Sequence, residues 1–305
     1  MKQAKHIVIR IFLVAFLVLP LVTKAETTYL TENVYRAQLL ELIASLQQQI
    51  VFLQQQLQAR KENASQVIAG QSTEGPLSQS VDMIVRYNID TSGVVSDIAN
   101  KKHRDYFERV FALYPDQYDG YVSRVAVYDA DSSEFDAFVE TIPPQHERWL
   151  YAVNESMLKD VTSTWNTELI IHELAHIVSY ETEGEEPLLA ERTCDAYFKR
   201  HGCPVVGSYL DSFVEAFWEG DDLDRAEEFA AADDEYESAY AYYEDHETEY
   251  VSDYAAVAPE EDFAESFMYF MLEKKPVGKT AKQKVAFFGT FNDLVEMREE
   301  IREAK

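Results

Sequence analysis

Apolar positions along this chain repeat with several spacings, and each spacing predicts its own kind of element. Leu39, Ile43, Leu46, Ile50, Leu53 and Leu57 step by four, three, four, three and four. That is a heptad register with Ile43, Ile50 and Leu57 at a and Leu39, Leu46 and Leu53 at d, which favours a parallel two-stranded coiled coil. The flanking positions are mostly Gln (Gln47, Gln49, Gln54, Gln56), so partner choice is weakly specified, and a lone amphipathic helix is the alternative. Further on, Tyr121–Tyr128 alternates as a strand and Trp149–Val153 reads as a second one. A strand placed like Arg148–Val153, just before a motif-bearing helix, predicts the edge on which extended substrate pairs. A helix is expected around Lys101–Leu113, and everything after Ser163 reads as helical. Pro259 suits a first helical turn, and Phe263, Phe267, Phe270 and Met271 then follow at helical spacing. The expected class is α+β, with a small sheet and a mainly helical second half, preceded by an N-terminal coiled-coil helix.

The pattern also divides the chain. Residues 1–25 combine Lys2, Lys5 and Arg10, an apolar run from Ile11 to Val22, and Thr23-Lys24-Ala25. This is the layout of a secretory signal peptide cleaved after Ala25, with an uncleaved anchor as the alternative. The run is short for a membrane span, and no other stretch could cross one. No Cys stands at the cleavage site, which excludes a bacterial lipoprotein. Residues 26–58 carry the heptads, with self-association expected through 39–57. Residues 59–80, rich in Gln, Ser, Ala and Gly, read as a flexible linker, and 81–305 as one domain long enough for its own core.

The chemistry concentrates in His172-Glu173-Leu174-Ala175-His176. Residues four apart on a helix share a face, so both imidazoles can reach one ion while Glu173 stands beside them without ligating. This is the H-E-x-x-H arrangement of zinc metallopeptidases. Leu169-Ile170-Ile171 before it and Ile177-Val178 after it make the helix apolar, and buried His and Glu side chains demand a metal or another partner. Thr162-Ser163-Thr164 can cap its start, Glu168 lies in its first turns, and Gly184 and Pro187 close the segment.

A catalytic zinc takes three protein ligands. Ser179 and Thr182 stand where a third His would complete a metzincin site, so the third ligand is a carboxylate. Glu191, in Glu191-Arg192-Thr193-Cys194-Asp195, is one candidate, but it follows His176 closely. Glu261 is the better one. With Glu265 it forms a one-turn carboxylate pair on a stripe shared with Ala264 and Met268, suited to one metal ligand and one acceptor for a ligand His.

These two windows resemble the gluzincin metallopeptidases, most closely the anthrax lethal factor-like catalytic domain. In that group a Tyr-Ala segment precedes a Glu-x-Phe-Ala-Glu helix, with the Tyr seven residues before the ligand Glu. Tyr254 to Glu261, followed by Phe263-Ala264-Glu265, repeats that spacing. The resemblance implies a zincin-like peptidase domain with one Zn²⁺ per chain on His172, His176 and Glu261. It further implies Glu173 as general base, Tyr254 as support for the oxyanion and Glu265 behind a ligand. The distance from His176 to Glu261 is longer than the resemblance predicts and implies an insertion.

Charge and cysteines add context. The net charge of −28 is densest in Glu215–Asp262, where Asp221, Asp222, Asp224, Glu227, Glu228, Asp233, Asp234 and Glu235 crowd together as a solvated face or mobile insertion. Such a balance excludes nucleic acid as a partner. Cys194 and Cys203, the only cysteines, are expected to form a disulfide in an exported, oxidised chain, against two buried thiols. The function expected is a secreted or extracytoplasmic zinc endopeptidase acting on protein or peptide substrates. The alternative is a coiled-coil surface adhesion or scaffold protein with a structural zinc site, and Glu173 discriminates because a structural site needs no base.

Overall fold

A computed structural model of the chain describes residues 75–305 except 90–94, 96–97, 119, 132–134, 143–147, 181–205 and 219, all within one compact unit spanning 70–305. The expected signal peptide, the heptads of 39–57, most of the linker, Glu191, and the Cys194–Cys203 pair lie outside the described residues.

Among the described residues the fold is α+β, nine helices with one four-stranded sheet. Helix α1 (Pro76–Ser80) leads into β1 (Met83–Asn88), and α2 (Lys101–Leu113) precedes β2 (Val122–Tyr128), β3 (Ala137–Thr141) and β4 (Trp149–Asn154). The strand order is β1-β2-β4-β3, with β2 and β4 parallel and both outer pairs antiparallel. Val125, Val127, Val139, Tyr151 and Val153 face the main core, while Ala126, Tyr128, Phe138, Leu150 and Ala152 form a smaller cluster on the opposite face with Leu77 against it.

Two expectations are corrected here. The edge read at Arg148–Val153 is interior: β4 is bonded on both sides, and its six residues are all buried. The edge nearest the motif is β3, too short to announce itself in the pattern. The linker expectation fails at its end, where α1 is fixed by a buried carboxylate. Glu140 of β3 accepts the backbone N–H groups of Leu77 (3.1 Å) and Ser78 (3.2 Å) and the Ser78 hydroxyl. Burial pushes the Glu140 pKa up, and these donors oppose it.

Helix α3 (Thr164–Val178) starts where Ser163 Oγ accepts the Asn166 N–H at 3.1 Å, as its sequence suggested. It ends at Val178, earlier than Gly184 and Pro187 led one to expect. After it come α4 (Tyr209–Phe217), α5 (Asp221–Ala230), α6 (Glu235–His246), a short turn of helix at Tyr254–Ala256, α7 (Pro259–Met271), α8 (Lys279–Phe287) and α9 (Asn292–Ala304). Ala258 is extended and Pro259 opens α7, as its fixed φ favours. Phe263 and Phe267 of α7 meet Phe288 edge-on, with ring centroids at 5.1 and 5.5 Å, and anchor the helical half. The acidic run is ordered into α5 and α6 with most of its carboxylates exposed. Asp221, Asp222 and Asp224 stand in the first turn of α5, where the helix dipole favours them. Among the described residues no helix is long and apolar enough to cross a membrane.

Candidate metal centre

Helices α3 and α7 pack side by side, and their contact brings His172 and His176 of α3 against Glu261 and Glu265 of α7. His172 Nε2 and His176 Nε2 stand 3.2 Å apart, and Glu261 Oε2 lies 3.2 Å from the first and 3.4 Å from the second. Both histidines are buried, and Glu261 is only partly exposed. Although so close to two ring nitrogens, Glu261 Oε2 is in hydrogen-bonding geometry with no donor. Three candidate ligand atoms therefore converge on one point, and buried groups at this spacing call for a cation or a bridging proton among them. Tetrahedral zinc ligands at about 2.0–2.1 Å from the metal stand about 3.3–3.4 Å from each other. The donors found here match that spacing, so the residues fit the ion that the motif implies; among the described residues these three form the one such cluster.

Glu265 completes the geometry. Its Oε1 lies 2.7 Å from His172 Nδ1, which fixes the ring so that Nε2 faces Glu261 and His176. Its Oε2 accepts the Ser252 hydroxyl at 2.7 Å, and Ser252 Oγ takes the Ala255 N–H at 3.2 Å. Burial alone would pull His172 down, but Glu261 and Glu265 outweigh it and hold its pKa well above the ordinary imidazole value. Burial would likewise raise Glu261, but His176 and His172 outweigh it and hold its pKa well below the usual carboxylate range. Glu265 is also lowered, burial being overcome by His172 and Ser252.

Glu173 lines the narrow cavity shared by His172, His176 and Glu261 and also reaches β3. It is buried, its carboxylate accepts the Val139 N–H, and its Oε2 has no hydrogen-bond partner. Burial pushes its pKa up against the pull of His176 and His172. Tyr254 lies in the turn before α7 with its ring centroid 5.8 Å from that of His172. It lines two adjoining cavities that also share His172 and Glu173. The narrower, about 50 Å³, reaches His176 and Glu261, and the wider is about 430 Å³.

The start of α7 is held from behind. Asp262, next to Glu261, is fully buried and bonded to Lys284 Nζ (2.6 Å), Trp218 Nε1 (2.8 Å) and Ser266 Oγ (3.3 Å). Burial raises the Asp262 pKa and these partners oppose the shift. Neither this anchor nor Ser252 nor the Val139 N–H was foreseen from the sequence. The nearest signal was Asp262 itself, a third acid in the run Glu260, Glu261 and Asp262 that opens a mostly apolar helix. Comparison of the chain with protein-family models, with curated proteins and with solved structures finds no match.

Proposed function

We propose that this protein is an exported zinc-dependent peptidase of the gluzincin kind, with a zincin-like domain that hydrolyses peptide bonds in protein or peptide substrates. The observation that carries the reading is the convergence of His172 Nε2, His176 Nε2 and an undonated Glu261 Oε2 beside the buried Glu173. Three protein ligands leave a position open, as catalytic zinc sites do and structural ones do not. A zinc ion held by His172, His176 and Glu261 would supply a Lewis acid for the scissile carbonyl and would lower the pKa of a water to about 7.

The chain's own groups supply the rest. The Val139 N–H holds Glu173 in place, and burial tunes the carboxylate upward, toward the range in which it can take a proton and give it back. Glu173 removes a proton from the attacking water as the C–O bond forms, then delivers it to the amine nitrogen as the C–N bond breaks. The Tyr254 hydroxyl donates to the oxygen that gains charge. Glu265 keeps His172 in the ligating tautomer, with Ser252 fixing Glu265. β3 is an outer strand of the sheet and its Ala137 lines the cavity, where an extended peptide can pair. Residues 1–25 as export signal and 39–57 as a self-associating helix complete the reading.

The test is Glu173→Gln. It keeps shape and metal, and should lower peptide turnover by about 10²–10⁴-fold at unchanged zinc content. Tyr254→Phe should lower kcat by about 10–10³-fold, again with zinc retained. A Glu173→Gln protein as active as the parent refutes the mechanism, and moves the weight to a scaffold with a structural zinc.

A further inference from the structure

The wider cavity beside the metal centre has a composition that the hydrolytic reaction does not require. Three of the four exposed aromatic side chains among the described residues, Phe135, Trp165 and Tyr236, line it. Two of them are locked to carboxylates. Trp165 Nε1 donates to Asp136 Oδ2 at 2.9 Å, and the Tyr236 hydroxyl donates to Asp253 Oδ2 at 2.8 Å. The two pairs come from different elements, α3 with the start of β3 and α6 with the turn before Tyr254. They set an aromatic face and a fixed negative charge on separate parts of the lining.

The wall already accommodates one cation. Lys274 Nζ lies 3.1 Å from Glu168 Oε1 and 4.5 Å from the centroid of Tyr269, an ammonium held by a carboxylate and a ring within the same cavity. Among the described residues that ion pair occupies the only Lys or Arg side chain of the lining, and His172 is engaged by Glu261 and Glu265, so neither is spent on Asp136 or Asp253. Leu169 and Met268 supply apolar surface along which methylenes can lie. At about 430 Å³ the space takes a long side chain together with the backbone that carries it. Glu173 and His172 line the same space, so whatever fills the cavity sits within reach of the reacting centre.

We propose that this cavity selects the substrate, and that it takes a Lys or Arg side chain next to the bond that is cut. A cation lies over the Trp165 or Tyr236 ring while Asp136 and Asp253 neutralise it. A Glu at the same position meets two fixed carboxylates and is rejected. The inference rests on the peptidase reading but names a different part of the site, so the two can fail separately.

The experiment uses the full-length zinc-loaded protein and matched peptides that differ only in Lys, Leu or Glu at one position beside the cleaved bond. The Lys peptide should be cut with kcat/KM at least about tenfold above the Leu peptide, and the Glu peptide should be poorest. Asp136→Asn with Asp253→Asn keeps acceptors for Trp165 and Tyr236 and removes only the charges, so the Lys-to-Leu ratio should collapse to within about threefold. Calorimetry on the Glu173→Gln protein reads binding without turnover and should show the same Lys preference and its loss. Cleavage without a basic preference, or a preference untouched by the double substitution, overturns the inference and leaves the peptidase reading standing. Selective binding of the Lys peptide without any cleavage by the parent protein supports the cavity and removes the peptidase reading.

Discussion

Replacing Lys284 by Met tests how the ligand helix is held. Lys284 Nζ is 2.6 Å from Asp262, a side chain with no exposed surface, and 4.0 Å from the centroid of Tyr250. Met has the length and helix propensity of Lys, so α8 itself is undisturbed. What changes is that Asp262 keeps the Trp218 and Ser266 donors but loses its counter-ion. Removing one partner of a buried pair costs about 3–5 kcal/mol, because the remaining charge stays desolvated. The double variant Asp262→Asn with Lys284→Met removes both charges and retains an acceptor for Trp218, so it should cost less than about half as much. The deficit of the single variant should also depend on pH. Burial already raises Asp262, and losing Lys284 raises it further, so the penalty is full above the folded pKa and vanishes below the unfolded value near 4. Urea unfolding of the metal-free full-length chain, followed by tryptophan fluorescence at several pH values, measures all three quantities. A single variant that loses under about 1 kcal/mol, or a double variant no better than the single, would show that the pair is not what carries this corner.

Two further outcomes follow from the centre itself. Glu265→Gln should weaken zinc by about 10–100-fold while leaving the fold intact, as read by competition with a chromophoric chelator; unchanged affinity would remove Glu265 from its supporting role. Zinc uptake by the metal-free protein near pH 7 should release about one proton, because Glu261 and Glu265 hold His172 protonated above the ordinary imidazole range. Apparent affinity should therefore rise with pH, and calorimetric heats should depend on the ionisation enthalpy of the buffer; heats independent of buffer would contradict that protonation state.

The sequence was most legible where one element carried a whole statement. His172 and His176 announce a shared helical face by their spacing, and Glu261 with Glu265 do the same. The structure brings the two pairs together. What could not be read were the partners supplied by other elements. Ser252, Lys284 and the Val139 N–H act only through tertiary contact, and no periodicity ties them to the groups they hold. The sheet failed in a specific way. Trp149–Val153 is a continuous apolar run, the mark of a strand covered on both faces, and reading Arg148–Val153 as an edge overlooked this. The true edge, Ala137–Thr141, has only five residues, the buried Glu140 among them, and no alternation marks it as a strand.

The long stretch from His176 to Glu261 takes on another meaning once both ends are seen to meet. A shared ion would close a ring of roughly 85 residues, and each doubling of such a ring adds only about 0.6 kcal/mol of closure entropy. Its length is thus nearly invisible to the centre, which responds to the docking of α3 on α7 and to the few residues of the path that touch it, Trp218, Ser252 and Tyr254. A segment such as α5 can grow, shrink or change its acidity at the periphery of the ring while the two helices keep the same grip. In an engineering sense the stretch is a ready insertion site. The ion, in turn, would be a cross-link between distant parts of the chain, so its loss would loosen the packing of the helical half as well as halt the chemistry.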